Sequence, residues 1–103
     1  MSKTESNAAT RRSHAIVELL AKRFFDGMSN KELAEALKTS PVNISRDLGT
    51  LEDLGYVRKQ DNGRWGLTTK PLMIMQSFTT HYQTLQTRMA ETSRNIFAGS
   101  TGL

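Results

Sequence analysis

Ser29-Asn30-Lys31-Glu32-Leu33-Ala34-Glu35-Ala36-Leu37-Lys38-Thr39-Ser40-Pro41-Val42-Asn43-Ile44-Ser45-Arg46-Asp47-Leu48-Gly49-Thr50-Leu51-Glu52-Asp53-Leu54-Gly55 is the stretch whose reading decides the fold. It holds two helix starts in close succession. Ser29 to Glu32 is a capping box, in which the serine hydroxyl and the glutamate carboxylate each satisfy a backbone N–H that a helix start leaves free. Leu33, Ala34 and Leu37 form the buried face of that short helix. The polar Lys38-Thr39-Ser40 interrupts the pattern, and Ser40 followed by Pro41 is a second N-cap with proline at the first helical position. The second helix buries Ile44, Leu48, Leu51 and Leu54, and Gly55 supplies the left-handed residue that commonly closes a helix. Two helices joined by so tight a turn predict a helix-turn-helix.

Upstream, Ile16, Leu19, Leu20 and Phe24 recur at helical spacing, and Gly27 ends that helix. Residues 1–11 lack apolar periodicity and are expected to be a flexible basic arm, with Arg11 and Arg12 available to phosphates. Downstream of Gly55 the period falls to about two residues. Tyr56-Val57-Arg58-Lys59-Gln60 and Arg64-Trp65-Gly66-Leu67-Thr68 flank Asp61-Asn62-Gly63, the pattern of a hairpin that would form a wing. Trp65 is expected to pack back onto the first helix, and Tyr56 to join the core.

From Pro71, apolar residues return every three or four positions: Met75, Phe78, Tyr82, Leu85, Met89 and Ile96. This is a long amphipathic helix over residues 71–97, ahead of a frayed tail at 98–103. These six residues are the expected seam of a homodimer. The flanks of the seam are mostly uncharged, so packing of the helix on its own domain stays open beside dimerisation. The predicted fold is mainly α with a small β-hairpin: a winged helix-turn-helix over residues 12–70, followed by the long C-terminal amphipathic helix.

Composition bounds the function. The chain has 103 residues, 37% hydrophobic, with 14 Lys+Arg against 10 Asp+Glu, so it has room for one domain with a net charge of +4. Between Tyr56 and Lys70 the bases Arg58, Lys59, Arg64 and Lys70 face Asp61 alone, which concentrates positive charge in the wing, where phosphates or a minor groove would meet it. With no cysteine, there is neither a disulfide framework nor a thiolate zinc site. Two separated histidines and no phosphate-binding glycine loop give no catalytic constellation, so the expectation is a protein that is not an enzyme and carries no metal or cofactor. No secretory signal or membrane span is evident, which predicts a soluble, cytoplasmic, nucleoid-associated protein.

With Ile44, Leu48 and Leu51 turned inward, the second helix of the pair presents Val42, Asn43, Ser45, Arg46, Gly49 and Thr50 outward. Arginine can pair with guanine and asparagine with adenine, serine and threonine adapt to several base edges, and valine can meet a thymine methyl. These six are the candidate base readers, and Ser40, Arg58, Lys59, Asn62, Arg64, Arg11 and Arg12 are the candidate backbone and wing contacts. The partner so implied is double-stranded DNA, with a second regulatory protein as a further possible one. The rival class is a winged-helix protein–protein interaction module without specific DNA binding; its docking face would be more apolar than this one.

Thr50-Leu51-Glu52-Asp53-Leu54-Gly55-Tyr56-Val57 and Asp61-Asn62-Gly63-Arg64-Trp65-Gly66-Leu67 resemble the winged helix-turn-helix of IclR-type bacterial transcription regulators, over about residues 12–73. Ser45-Arg46-Asp47-Leu48 is also similar to the deoxyribose-regulator type of winged helix. The resemblance implies a sequence-specific regulator, a repressor by its small size, with Arg46 as the recognition-helix arginine. Two features depart from the IclR pattern: Asp47 stands where an apolar residue is usual, and the ligand-sensing domain has no counterpart in these 103 residues.

Overall fold

A computed structural model of the chain describes the backbone of residues 3–101 and the side chains of residues 7–99. The elements are α1 (Lys3–Lys22), α2 (Asn30–Ala36), α3 (Pro41–Asp53), β1 (Val57–Lys59), β2 (Trp65–Leu67) and α4 (Lys70–Thr101). They form two compact units, Met1–Pro71 and Leu72–Leu103. No helix among the described residues is long and apolar enough to cross a membrane.

The first unit is the winged helix-turn-helix that the sequence predicts. Its core is Ile16 and Leu20 of α1, Leu33 and Ala34 of α2, Ile44, Leu48 and Leu51 of α3, Met28, Val57 and Leu67. Trp65 and Tyr56 pack half-buried against that core, as expected. The capping box is complete: Glu32 N donates to Ser29 Oγ at 3.1 Å, and Ser29 N donates to Glu32 Oε1 at 3.0 Å. Ser40 Oγ accepts from Asn43 N at 3.1 Å, so α3 starts where its N-cap signal lies. Between the two helices Lys38 takes a left-handed conformation, φ 53°, uncommon for a residue with a side chain.

The wing is antiparallel, with Val57 opposite Leu67, Arg58 opposite Gly66 and Lys59 opposite Trp65. Met28 adds a short third rung, exchanging backbone hydrogen bonds of 2.9 and 2.7 Å with Trp65. Gly27 makes this approach feasible: at φ 70°, a Cβ there would lie 2.5 Å from the Trp65 carbonyl oxygen.

Three expectations are revised. Residues 3–11 are not an arm but the first half of α1, which runs unbroken into the periodic stretch. Ala8, Ala9 and their neighbours propagate a helix that the downstream apolar face anchors, so apolar periodicity is not required over every turn. The tail is likewise shorter than expected, because α4 continues through Gly99 to Thr101. Met1, Ser2, Gly102 and Leu103 lie outside the described residues. Leu54 is not core: as the C-cap of α3 it turns away from the buried stripe and is 51% exposed.

The second unit is α4 beyond Pro71, roughly 45 Å of helix at about 1.5 Å per residue. Met75, Phe78, Tyr82, Leu85, Met89 and Ile96 are each between 54% and 66% exposed, so nothing within this unit covers the predicted seam. Phe78 and Tyr82 stack on one another with centroids 6.3 Å apart.

Candidate nucleic-acid interface

Burial of Ile44, Leu48 and Leu51 fixes the opposite face of α3 outward, because side chains three and four apart share a helix face. Val42, Ser45, Arg46 and Thr50 are exposed, and Asn43 and Gly49 half-buried. These six therefore lie where the sequence reading put them, with unequal freedom. The Arg46 side chain has no hydrogen-bond or ion-pair partner among the described residues. Ser45 Oγ accepts from Asn30 Nδ2 at 2.8 Å, which leaves its proton available, and Asn30 Nδ2 also lies 3.2 Å from the Pro41 carbonyl. Asn43 Nδ2 donates to Thr39 Oγ1 at 3.0 Å, and Thr50 Oγ1 donates back to the Arg46 carbonyl at 3.2 Å. Asn43 thus keeps its amide oxygen and one N–H for a ligand, whereas Thr50 keeps acceptor capacity only.

The candidate backbone contacts divide more sharply. Arg58 and Lys59 are exposed on β1 with no side-chain partner among the described residues, and Arg11 is exposed on α1. Asn62, at the hairpin tip, accepts from Arg64 N at 2.9 Å through its side-chain oxygen, ordering the turn that Gly63 completes at φ 80°. Arg64, in contrast, is engaged inside the fold. Its Nε donates to the Asp26 carbonyl at 3.1 Å, and its Nη2 to the Gly27 carbonyl at 3.0 Å and to Glu32 Oε1 at 2.7 Å. The arginine expected to meet phosphate is a clasp between the wing, the turn after α1 and the start of α2.

Glu32 is held ionised below the usual carboxyl pKa, chiefly by the hydrogen bond from Ser29 N, with help from the Ser29 hydroxyl and the nearby charges of Arg64 and Arg23. Lys70 is also engaged. Its Nζ donates to the Leu54 carbonyl at 2.6 Å and lies 5.0 Å from the Tyr56 ring centroid, placing a cation at the negative end of α3. Of the four basic residues counted in the wing, two stabilise the fold, and Arg58 and Lys59 project from it.

Arg12 is the other revision. It donates through Nε to Asp47 Oδ2 and through Nη2 to Asp47 Oδ1 at 3.1 Å, a two-pronged pair between α1 and α3. This answers what an acid does on the recognition helix: Asp47 is 4% exposed, faces inward and is neutralised by arginine rather than pointed at phosphate. Asn30, Glu32 and the Asp26 and Gly27 carbonyls also support the site, and sequence reasoning missed them in this role. Glu32 alone carried a signal, as the fourth residue of the capping box.

Comparison with known proteins bears on the same segment. Residues 14–59 match the model of the arsR family of bacterial regulatory proteins. The match runs from α1 through β1. The match supports the winged helix-turn-helix of a regulator and does not support the resemblance to the IclR type. The structure of wild-type ZitR from Lactococcus lactis is similar at a TM-score of 0.51 and 25% identity, over 78% of this chain and 54% of that one. A mutant of ZitR in its apo form gives a TM-score of 0.54 at 23% identity, over 89% of this chain and 72% of that one. The chain spans about half the length of wild-type ZitR, at 54%. No curated protein matches the chain. The family match and the fold together support a DNA-binding transcription regulator.

Proposed function

We propose that the chain is a sequence-specific repressor that inserts α3 into the major groove of double-stranded DNA and lays its wing along the adjacent backbone or minor groove. The observation that carries this reading is the contrast between its cations. Arg12, Arg64 and Lys70 are bound within the fold, while the side chains of Arg46 on α3 and of Arg58 and Lys59 on β1 are exposed and unpaired among the described residues. A guanidinium left free near the middle of an N-capped helix suits bidentate pairing with guanine. Val42, Ser45 and Asn43 offer neighbouring contacts, and the strand cations supply sequence-independent attraction to phosphate.

The arsR match supports regulation through DNA rather than protein docking alone. Pairing of two copies through Met75, Phe78, Tyr82, Leu85, Met89 and Ile96 would present two recognition helices to half-sites about 34 Å apart. Repression would follow from occupying a promoter and excluding polymerase.

Enrichment of a random duplex library at moderate salt tests the reading. A palindromic consensus is expected, and Arg46→Ala should weaken binding to it by about 1–3 kcal/mol while relaxing one base position. Binding that enriches no sequence and vanishes as salt rises would leave only non-specific charge attraction and shift the reading to protein docking.

A further inference from the structure

Asp47 is the one buried charged or polar residue among the described residues, and it sits on the helix proposed to read DNA. It occupies a slot in the buried stripe of α3, three residues after Ile44 and one before Leu48. Arg12 lies one helical turn before Ile16 and two before Leu20 on α1, so the pair closes one end of the apolar interface between the two helices. No buried side-chain polar atom among the described residues lacks a partner, so both charges are accommodated.

Hydrophobic contact is non-directional, and the Ile16, Leu20, Ile44 and Leu48 interface alone would tolerate some roll of α3 about its axis. A two-pronged arginine–carboxylate pair is directional, because two parallel N–H···O bonds hold one plane and one azimuth. Asp47 lies about 100° round the helix from Arg46 at 3.6 residues per turn. Any roll that broke the pair would therefore re-aim Arg46, Ser45 and Val42 together. Asn30 to Ser45 and Asn43 to Thr39, further side-chain ties on this helix, lie in its N-terminal half, the first exposed to water and the second part-buried.

We propose that the Arg12–Asp47 pair is a registry device that sets the azimuth of α3, and so determines which base edges Arg46 meets. Arg12 and Asp47 are positioning residues for specificity and touch no DNA themselves. The inference rests on the reading of α3 as the recognition helix. Buried ion pairs are seldom the most stable solution, and similar-sized apolar replacements often match or exceed them in stability. Specificity and stability should therefore separate.

The test uses the double variant Arg12→Met/Asp47→Leu, which leaves net charge unchanged, with Asp47→Leu and Arg12→Lys beside it in the full-length chain. The double variant should melt at or above the wild type and bind random duplex as before. Its preference for the wild-type site over random duplex should fall about tenfold or more, the equivalent of 1.4 kcal/mol. Asp47→Leu, which leaves the half-buried Arg12 without its carboxylate, should melt lower than the double variant. Arg12→Lys, which keeps the charge but loses the fork, should have intermediate preference. A double variant with undiminished preference would overturn the proposal, as would one whose preference fell only in proportion to lost folded protein.

A wild type that selects no site would sink the functional reading, and the registry would then be judged by methyl NMR of Ile44, Leu48 and Leu51. Multiple or broadened signals in the double variant, against one sharp set in the wild type, would support it. One sharp, wild-type-like set in both would overturn it.

Discussion

Gly49 shows how a single residue separates folding from function. A Cβ at this position would meet nothing within 4 Å, so the fold itself does not require glycine there. Glycine in a helix interior costs about 1 kcal/mol relative to alanine. Gly49→Ala should therefore raise the unfolding free energy by about 1 kcal/mol in urea titration. If a duplex backbone passes close to this face, the same substitution should weaken DNA binding. Higher stability with unchanged affinity would show that the glycine has no part in close approach. Asp47 makes the complementary case: a residue whose charge suggests the surface lies in the core, because one arginine on another helix meets both of its oxygens.

Among the elements, the wing is clasped by Arg64 as well as by the Met28–Trp65 backbone pair and its core residues. Arg64 joins it to the Asp26 and Gly27 carbonyls of the turn after α1 and to the Glu32 carboxylate in the first turn of α2. Glu32 is held below its ordinary pKa of 4.5, so its contribution to stability is present above 4.5 and is lost as the pH falls through the depressed value. Melting followed from neutral pH into acid should show the wild type losing more stability than Glu32→Gln over that window. Equal losses would mean that the clasp does not feel the carboxylate. Arg64→Ala should lower stability by about 1–2 kcal/mol, since three half-exposed, charge-assisted contacts are removed. It should leave the salt dependence of DNA binding nearly unchanged, whereas Arg58→Ala should reduce the salt slope by about one. A large fall in slope from Arg64→Ala would return that residue to the phosphate contacts.

For the whole molecule, the apolar face of α4 is exposed within its own unit. Leu85 is 55% exposed in the middle of the predicted seam. A helix with many threonines has modest intrinsic stability and gains most from a packed apolar face. Sedimentation of the wild type should give a dimer. Leu85→Asp, which would bury two like charges at the seam, should give a monomer with its winged helix still folded, as the two units are separately compact. A wild type that sediments as a monomer would remove the seam from the reading.

The sequence by itself determined the order of elements in the first unit. The Ser29–Glu32 box, the Ser40-Pro41 start, the left-handed glycines Gly55 and Gly63 and the apolar stripes are all written within a few residues of where they act. Capping bonds, dihedral preferences and helical periodicity are short-range, so a linear reading captures them. The outward face of α3 was legible for the same reason, since its inward face was. The fate of the charges was not. Arg12 and Arg64 look as available as Arg46 and Arg58 in sequence, yet their partners lie 32 to 38 residues away. The reach of α1 towards the N-terminus was also hidden, because its anchoring packing lies downstream of the turns it supports. Only the tertiary structure decided which cations bind the fold and which remain for a ligand, because an ion pair depends on where two side chains meet in space, and composition records only that they exist.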